Sequence, residues 1–400
     1  RKVKSILGVT PIDLVKDIVE LKKKTDTIYI YGTGMYGRNI YNMLMEHEIK
    51  VDGFVETNPE KSEVFGLPVY AARDILKDNI GLILGLNKLN TGYVENDLIR
   101  NYYNMDNVIY GYKYIDNGGN RGGYDENNPT MEITTRIGCS VNCRYCPQSS
   151  LITRYCADKS VEKQMSVETF EKCLEKLPLD CNVLFCGMAE PLLNPDCIEM
   201  IKIAIDSGRK VDLYTTLVGI DESQLDDLLK LPISFVTLHV ADKYNYAKIK
   251  TNDVYYRMLE KTVNHVKNDG KPFVNICNAQ SEPDAKVKDI CKGKYEIIHE
   301  LHDRAGNLDD DILISATRKR HGKISCSLCG QALNHNILLP DGRVLLCCMD
   351  YGMKHVLGNL LQQSYEEIIN GSEMQRLKCA INGDESIDLL CRGCSSATEI

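Results

Sequence analysis

Hydrophobic and polar positions in the N-terminal part of the chain predict alternating strands and helices. Apolar residues at helical spacing run from residue 11 to about residue 24, and a short apolar strand follows. The predicted strands lie at 27–31, 51–55, 67–70, 80–84 and 108–110, with helical patterns around 40–44 and 94–102. This order is typical of a small doubly wound parallel sheet, which we assign to residues 1–112.

The next segment, residues 113–130, has the composition of a linker. Five Gly and four Asn occur between Gly111 and Thr130. After it the β-α alternation resumes, and we predict an α/β barrel or part of one over residues 131–322. The predicted barrel strands are 131–137, 182–186, 210–215, 234–240 and 272–277, and the helices between them are 167–177, 195–207, 222–229 and 254–266.

The last region, residues 323–400, is less regular and rich in cysteine. Asp341-Gly342 predicts a tight turn between strands at 336–339 and 343–346. One clear helix is predicted at 360–369. The fold class is therefore α/β, with a doubly wound N-terminal domain, a partial barrel and a small C-terminal domain.

Composition narrows the class of protein. The chain has 400 residues and a net charge of −8, which argues against a broad nucleic-acid or anionic-membrane surface. Apolar stretches are too short to span a bilayer, and the basic N-terminus lacks the apolar run of a signal peptide. We therefore expect a cytoplasmic protein.

The chain has 17 cysteines, which we expect to be reduced and, where clustered, to bind metal or do chemistry. Cys139, Cys143 and Cys146 form a C-x3-C-x2-C pattern just after the first barrel strand. Three such thiolates can hold three irons of a 4Fe-4S cube and leave the fourth iron open. The alternative is a structural zinc site, with Cys156 or Cys186 as the fourth ligand.

Two motifs carry a resemblance to a known family. The cysteine pattern, with aromatic Tyr145 before its last member, resembles the signature of the radical S-adenosylmethionine (radical SAM) superfamily. At the end of the next strand, residues 185–191 resemble the Gly-Gly-Glu-Pro element of that family. Gly187, Glu190 and Pro191 are retained, whereas residues 188–189 depart from the usual glycine. The resemblance covers about residues 131–277.

This resemblance implies a cluster held by the three thiolates and SAM chelated to the open iron. One electron would then cleave SAM, and the resulting 5′-deoxyadenosyl radical would remove hydrogen from an unactivated C–H bond. Glu190 beside Gly187 can bind the SAM ammonium, and Tyr145 can pack near the adenine. Other residues at strand ends are candidates for contacts with SAM; they are Thr215, Thr216, Thr237 and His239, the last of which is equally well explained as a packed core histidine.

Seven cysteines follow residue 325. A hairpin with Cys329 and Cys347, met by a knuckle with Cys391 and Cys394, can supply four thiolates. The arrangement resembles the SPASM/twitch extension of radical SAM enzymes, which implies one auxiliary 4Fe-4S cluster, with Cys326 as the substitute ligand. Structural zinc is the alternative. The cysteines left over are interpreted mostly as small core residues; they are Cys156, Cys173, Cys181, Cys197, Cys277, Cys291, Cys348 and Cys379.

Two residues next to the auxiliary ligands are candidates for catalysis. The Cys348 thiol could return a hydrogen atom to a substrate radical, which gives epimerisation. Asp350 could instead accept a proton while the auxiliary cluster accepts an electron, which gives dehydrogenation.

The N-terminal domain carries a glycine-rich loop. Gly32, Gly34 and Gly37 follow a strand and open a helix, and Glu56 ends the second strand about 20 residues later. This context favours nucleotide or nucleotide-sugar binding, with a purely structural Rossmann unit and working NAD redox as the alternatives. The region resembles Rossmann-like domains attached to bacterial surface-glycan enzymes.

The sequence thus predicts an anaerobic radical SAM oxidoreductase or epimerase. Its substrate would be a nucleotide- or phosphate-linked sugar or alditol, and its electron donor a flavodoxin or ferredoxin. One alternative is a radical SAM enzyme that modifies peptides or proteins. The other is an iron-sulfur or zinc protein without turnover.

Overall fold

The chain divides into two compact units, Arg1–Gly119 and Asn120–Ile400, and each is described by itself. The structure is a computed structural model. It describes residues 11–33, 35–46, 48–59, 61–75, 79–86, 94, 104–111, 128–157, 162–298, 301–310, 313–314 and 318–400. Most of the predicted linker, and all but residue 94 of the helix predicted at 94–102, lie outside these residues.

The first unit is a six-stranded sheet in the order β3-β4-β2-β1-β5-β6, parallel except for β3. Its strands are β1 (Thr27–Tyr31), β2 (Gly53–Glu56), β3 (Glu63–Val64), β4 (Leu67–Ala71), β5 (Ile80–Leu84) and β6 (Val108–Tyr110). Its helices are α1 (Pro11–Lys22), α2 (Met35–Glu46) and α3 (Ala72–Ile75), with a 3-10 turn at Met105–Asn107. A short hairpin strand, β3, stands where a doubly wound sheet has a helix between β2 and β4.

Two glycines allow the loop after β1 to pack closely on its surroundings. A Cβ on Gly37 would lie 1.9 Å from the Gly32 carbonyl oxygen, and a Cβ on Gly85 would lie 2.5 Å from the Gly37 Cα. Gly32 has a φ of +99°, which glycine adopts without strain. The glycine pattern therefore has a packing cause in this fold, independent of any ligand.

The second unit is built on a nine-stranded sheet in the order β12-β11-β10-β9-β8-β7-β16-β17-β18. The six strands β7 to β12 are parallel, as is the β16–β7 pair, and this confirms the predicted partial barrel. The strands are β7 (Thr130–Ile133), β8 (Asn182–Phe185), β9 (Val211–Thr215), β10 (Phe235–His239), β11 (Ile276–Ala279), β12 (Glu296–Ile297), β16 (His335–Leu338), β17 (Arg343–Leu345) and β18 (Val356–Asn359). The helices are α4 (Gln148–Tyr155), α5 (Val167–Leu174), α6 (Cys197–Asp206), α7 (Glu222–Leu229), α8 (Asp253–Asn264) and α9 (Ala285–Cys291).

Alternation along the barrel strands separates an apolar face from a polar one. Val183, Phe185 and Leu213 belong to the large core that packs against the helices. Since side chains alternate along a strand, the intervening positions face the barrel interior. These interior positions include Glu132, Cys186, Tyr214, Thr237, His239 and Asn278. The interior therefore carries several hydrogen-bonding groups together with the apolar side chains of Leu184 and Phe235.

The C-terminal part adds strands to the barrel sheet and two helices beside it. It contains β13 (Leu301–His302), β14 (Leu313–Ile314), β15 (Ile324–Cys326) and β19 (Ala397–Glu399), and the helices α10 (Tyr365–Ile369) and α11 (Ser372–Ile381). The prediction of one helix at 360–369 was wrong in two respects. The helix begins only at Tyr365, because Ser364 and Glu367 form a capping box there. A second and longer helix, α11, follows.

The cysteines that were interpreted as core residues are mostly buried. Cys173, Cys181, Cys197, Cys277 and Cys291 are buried, and Cys156 is half-buried. Cys379 is exposed, so that interpretation was wrong for this residue, which lies on the outer face of α11. Among the described residues, no helix has both the length and the apolarity needed to cross a membrane.

We predict that Gly37→Ala loosens the first unit. The added methyl group would overlap the Gly32 carbonyl oxygen, and overpacking of this kind destabilises by about 1–3 kcal/mol. Hydrogen exchange followed by mass spectrometry should show lower protection of the β1 and β5 amides.

Gly66→Ala is the matched control, because a Cβ at Gly66 has no neighbour within 4 Å. Its φ of +75° strains alanine only in the turn between β3 and β4, so protection in β1 should be unchanged. Equal loss of protection in β1 for both variants would contradict the packing argument.

Candidate active site

The three thiols of the predicted cluster site lie on one loop between β7 and α4, and each contacts a different element. Cys139 Sγ accepts a hydrogen bond from the Glu190 amide at 3.4 Å, and Cys143 Sγ lies 3.2 Å from the Ala247 carbonyl oxygen. Cys146 Sγ lies 3.4 Å from both Gln148 Nε2 and the Tyr351 hydroxyl. Burial raises the pKa of the Cys143 thiol to about 12.

These contacts fit a cluster held by three thiolates. Amide and side-chain donors next to a ligating sulfur stabilise its negative charge and tune the cluster. Thiolates that bind different irons of a cube do not converge on one point. Correspondingly, within the part of the chain that the structure describes, no group of three or more His, Cys, Asp or Glu side chains could hold a metal ion at one point.

An ion pair anchors the cysteine loop. The Arg144 guanidinium donates to both Asp310 carboxylate oxygens, at 2.8 and 2.7 Å, and lies over the Tyr246 ring. The Arg144 amide donates to the Tyr246 carbonyl oxygen at 2.8 Å. The loop that carries the thiols is thus joined to the segment around residue 310.

The second motif depends on a glycine in the left-handed region. Gly187 has a φ of +55°, and a Cβ there would lie 2.4 Å from Thr134 Oγ1. Met188, which replaces the usual glycine, is buried in an apolar cluster, and its amide donates to Thr134 Oγ1 at 3.0 Å. The departure from the family pattern is therefore accommodated by a side chain that packs away from the loop.

Glu190, Thr215 and Thr216 are brought together. The buried Glu190 carboxylate accepts from Thr215 Oγ1 at 2.6 Å and from the Thr216 amide and hydroxyl, each at 2.7 Å. It also caps the 3-10 turn Pro191–Leu193. Burial raises the pKa of this carboxyl, although the hydrogen bonds oppose the shift. The carboxylate joins the ends of β8 and β9 next to Cys139.

Tyr145, Thr237 and His239 lie around the same opening. Tyr145 and Cys143 are hydrogen-bonded through their side chains, as are Thr237 and Tyr214. His239 Nδ1 lies 3.5 Å from Gln280 Nε2. Burial lowers the pKa of His239 to about 4, so its imidazole is neutral at pH 7.

The sequence analysis missed three residues at this opening. Arg304 lies within electrostatic range of Cys146, Cys186, Cys348 and Tyr351. Tyr351 contacts Cys146, and the Glu132 carboxylate lies 2.6 Å from His335 Nε2 in a buried pair. The alternation of β7 could have located Glu132, which is a charged residue between buried apolar positions. Nothing local in the sequence indicates Arg304 or Tyr351.

All four predicted auxiliary ligands line one enclosed, apolar cavity. The cysteines that line it are Cys326, Cys329, Cys347, Cys348, Cys391 and Cys394. Antiparallel pairing of β15 with β19 holds the Cys326–Cys329 pair near the Cys391–Cys394 pair. The Leu328 and Ser396 amides donate to Cys326 Sγ and Cys394 Sγ, both at 3.4 Å.

Cys326 lies in this cavity together with Cys329, so the structure keeps both as candidate ligands. A hydrogen bond from Cys329 lowers the pKa of Cys326 to about 6. A set of closely spaced thiols with amide donors in an apolar cavity suits an iron-sulfur cluster.

Cys348 and Asp350 have different surroundings. Cys348 lines the auxiliary cavity and also lies within electrostatic range of Glu132 and Arg304, which belong to the barrel interior. Asp350 is fully buried, and its carboxylate accepts from the Lys354 amide at 2.7 Å and the His355 amide at 2.8 Å. Asp350 therefore closes the turn after the cysteines.

In the first unit, Glu56 contacts the glycine-rich loop directly. Its carboxylate accepts from the Thr33 amide at 3.2 Å and from the Thr33 hydroxyl. Arg38 Nε donates to the Thr33 carbonyl oxygen at 2.8 Å. Gly32 and Gly37 lie in this loop, and Gly34 lies outside the described residues. The acidic residue is thus engaged by the loop itself.

Comparison with known families agrees with the two cysteine sites. Residues 133–292 match the family model of the radical SAM superfamily. Residues 329–395 match the family model of SPASM, an iron-sulfur cluster-binding domain. The first match contains Cys139, Cys143, Cys146 and Glu190, and the second begins at Cys329.

Similar proteins share parts of the chain. It is 35% identical over 127 residues to a probable dual-specificity RNA methyltransferase RlmN of Pseudothermotoga lettingae, covering 30% of this chain and 34% of that protein. It is 30% identical over 91 residues to a probable RlmN of Chlorobium phaeobacteroides, covering 22% of this chain and 25% of that protein. The chain thus spans about a third or less of the length of these two curated relatives.

Two solved structures are similar at low identity. BtrN in complex with AdoMet and 2-DOIA has a TM-score of 0.47 and 19% identity, covering 67% of this chain and 93% of that chain. Streptococcus suis SuiB bound to precursor peptide SuiA has a TM-score of 0.42 and 13% identity, covering 77% and 81%.

The cofactors follow from the two matched domains. A radical SAM domain binds a 4Fe-4S cluster and SAM, for which Cys139, Cys143 and Cys146 have the required spacing. A SPASM domain binds auxiliary iron-sulfur clusters, for which the C-terminal cavity supplies the thiols. The chain therefore contains a radical SAM domain at residues 133–292 and a SPASM iron-sulfur cluster-binding domain at residues 329–395.

Proposed function

We propose that this radical SAM enzyme inverts a hydroxyl-bearing carbon of a small polar molecule, with the Cys348 thiol as the hydrogen-atom donor. The observation that carries the proposal is the position of Cys348. It lies between the auxiliary cavity and the barrel interior, within electrostatic range of Glu132 and Arg304. A thiol is the side chain best suited to this step, because its S–H bond gives up a hydrogen atom to a carbon radical.

The bound cluster and SAM supply hydrogen-atom abstraction from an unactivated C–H bond. The chain's own residues orient the substrate and return a hydrogen atom from Cys348 to the opposite face of the carbon. The Cys348 thiyl radical then needs one electron and one proton to regenerate the thiol. We propose a small reduced protein of the flavodoxin or ferredoxin class as the source of that electron.

Burial keeps Cys348 in the form that this step needs. The pKa of the Cys348 thiol is raised by burial and by the Glu132 carboxylate. The thiol therefore stays protonated at neutral pH and holds the hydrogen atom that it would transfer. A thiolate could not perform the step.

Dehydrogenation with Asp350 as the proton acceptor is the weaker candidate. Both Asp350 carboxylate oxygens accept backbone amide hydrogen bonds in the turn that follows the cysteines. An acceptor for a substrate proton needs a free lone pair that faces the substrate. The contacts of Asp350 favour a structural role instead.

The barrel interior favours a polyol or sugar over an apolar side chain. Tyr214, Thr237, Asn278 and Gln280 bring hydroxyl and amide groups to the interior positions of three neighbouring strands. Such groups bind hydroxyls through paired hydrogen bonds, and their burial without a polar ligand is unfavourable.

The N-terminal unit supports a narrower form of the proposal, in which the substrate carries a nucleotide. Its glycine-rich loop lies between a strand and a helix, and Glu56 lies against that loop. This is the setting in which a helix N-terminus binds a pyrophosphate. The alternative substrate is a peptide, which would bind near the barrel and leave the N-terminal loop unused.

We predict solvent deuterium in the product. In D2O the Cys348 thiol exchanges its hydrogen, so each inverted carbon should gain one deuterium, read by mass spectrometry. Candidate nucleotide sugars, alditol phosphates and peptides form the three substrate arms. Cys348→Ala should still consume SAM with substrate present but should give no inverted product.

Cys379→Ala is the matched control, because Cys379 is exposed and is not among the cysteines that line the auxiliary cavity. It should behave like the unaltered enzyme. An oxidised product without deuterium, formed equally by Cys348→Ala, would support dehydrogenation instead.

We predict about eight iron and eight sulfide per chain after anaerobic reconstitution, which corresponds to two 4Fe-4S clusters. Replacing Cys391 and Cys394 together by Ser should lower both values to about four. Replacing Cys139, Cys143 and Cys146 together by Ser should remove the radical SAM cluster and likewise leave about four iron and four sulfide per chain.

Cys326→Ser is the informative comparison, since Cys326 is the substitute ligand in the predicted set. It should retain about eight iron, whereas Cys329→Ser should not. Stoichiometric zinc, with about four iron, would contradict an auxiliary iron-sulfur cluster in the C-terminal cavity.

A further inference from the structure

Residues 303–310, which we call the closing segment, belong to no strand of the barrel sheet and contact the loop of the radical SAM cysteines. Two anchors hold this closing segment. Asn307 Nδ2 donates to the Met349 carbonyl oxygen at 3.0 Å, and Asp310 accepts both hydrogen bonds from Arg144. The segment thus joins the loop of the radical SAM cysteines to the turn after Cys347.

The backbone of the closing segment adopts a sparsely populated conformation at one place. Arg304 and Ala305 have φ values of +53° and +55°, and Gly306 follows at +79°. Two consecutive non-glycine residues in the left-handed region are unfavourable and persist only where the surroundings impose them. Strain of this kind concentrates at functional sites, and here it sets the position from which the Arg304 side chain leaves the segment.

The Arg304 guanidinium has no carboxylate partner among the described residues. Its hydrogen-bond partner there is the Met349 sulfur, 3.8 Å from a terminal nitrogen, and its Nε has none. Glu132 on β7 is paired with His335 at 2.6 Å, and Asp212 on β9 lies 3.5 Å from Lys210 Nζ and accepts a hydrogen bond from Asn182 Nδ2. His239, which also faces this interior, is neutral at pH 7 because burial lowers its pKa to about 4.

An enclosed guanidinium without a counter-charge is unfavourable unless a ligand supplies one. The groups within electrostatic range of Arg304 belong to both sides of the reaction site: Cys146 on one side, and Cys186 and Cys348 on the other. Arg304 as a whole is half-buried, whereas its Nε atom is buried without a hydrogen-bond partner.

We propose that Arg304 is the anion anchor of the reaction site and binds an oxyanion, a phosphate or carboxylate group, of the molecule that lies there. The planar guanidinium offers paired donors that match such a group. The inference rests on the proposed function in that both use the same site. Where the oxyanion belongs to the substrate, it narrows the substrate class to a hydroxylated molecule that carries a negative charge.

Two molecules can bring an oxyanion to this site. One is the substrate, through a phosphate or carboxylate group. The other is SAM, through its carboxylate, for which the sequence offers no partner. A third role for Arg304, without any ligand, is to offset the charge of the cluster that Cys146 helps to hold.

The test is isothermal titration calorimetry on the anaerobically reconstituted full-length enzyme. Inorganic phosphate is titrated into the SAM-loaded protein, and SAM is titrated into the SAM-free protein. Arg304→Gln and Arg304→Lys are compared with Arg257→Gln. Arg257 is the matched control, because it is an exposed arginine that pairs with Glu222 on the outer helices. Iron content and the reduction potential of each variant are measured alongside.

We expect Arg304→Gln to weaken one of the two titrations by at least about tenfold, which corresponds to about 1.4 kcal/mol. The affinity of Arg304→Lys should lie between those of Arg304→Gln and the unaltered enzyme. The affinity of Arg257→Gln should match that of the unaltered enzyme. Loss of phosphate binding alone assigns the anchor to the substrate, and weaker SAM binding assigns it to the SAM carboxylate. Both outcomes support the proposal.

Unchanged phosphate and SAM titrations in Arg304→Gln would overturn it, as would the absence of saturable phosphate binding together with unchanged SAM affinity. A shift of the cluster reduction potential as the sole effect would assign Arg304 to the cluster and would also overturn it. Neither titration needs turnover. A failure of the epimerisation proposal would therefore leave both titrations interpretable.

Discussion

The parallel pairing of β16 with β7 is the contact on which the arrangement of the two cysteine sites depends. It matches His335 to Thr130 and Leu338 to Ile133 along one ladder. The loop after β7 carries the radical SAM cysteines, and the hairpin that begins with β16 carries Cys347 and Cys348. Backbone hydrogen bonds in one sheet therefore fix the separation of the two sites, and the spacing survives changes of individual side chains.

The same pairing places a buried Glu–His pair on the face of β7 and β16 opposite to their core residues. Glu132 on β7 is opposite Ile337 on β16, and its carboxylate lies diagonally across the ladder, 2.6 Å from Nε2 of His335, which lines the auxiliary cavity. On the other face of these strands Met131, Ile133 and Leu338 belong to the apolar core, and the buried Asn336 accepts a hydrogen bond from the Tyr365 hydroxyl. A single strand thus contributes to the core with one face and to the chemistry with the other.

Much of this arrangement could be predicted from local sequence. The C-x3-C-x2-C spacing, the Asp341-Gly342 turn and the alternation of the barrel strands are short-range patterns, and the fold class followed from them. Features that depend on tertiary contact could not be predicted in this way. Arg304 is an ordinary charged residue in a turn until the fold carries it to the cysteines, and Asp350 resembles a catalytic acid until its amide partners are known. The helix α11 was missed because its apolar positions were attributed to an irregular, cysteine-rich region.

The closing segment, residues 303–310, has a consequence for access to the reaction site. A strand in this position would be held by a ladder of backbone bonds, whereas this segment is held by an ion pair and a few side-chain contacts. A neutral hydrogen bond contributes about 0.5–1.5 kcal/mol and one to a charged group about 1.5–3 kcal/mol, so these few contacts hold the segment less firmly than a full ladder of backbone bonds would. Molecules too large for the closed interior would enter and leave on the side of this segment, and Arg304 would travel with it. The gate and the charge that holds the ligand would then be parts of one moving element.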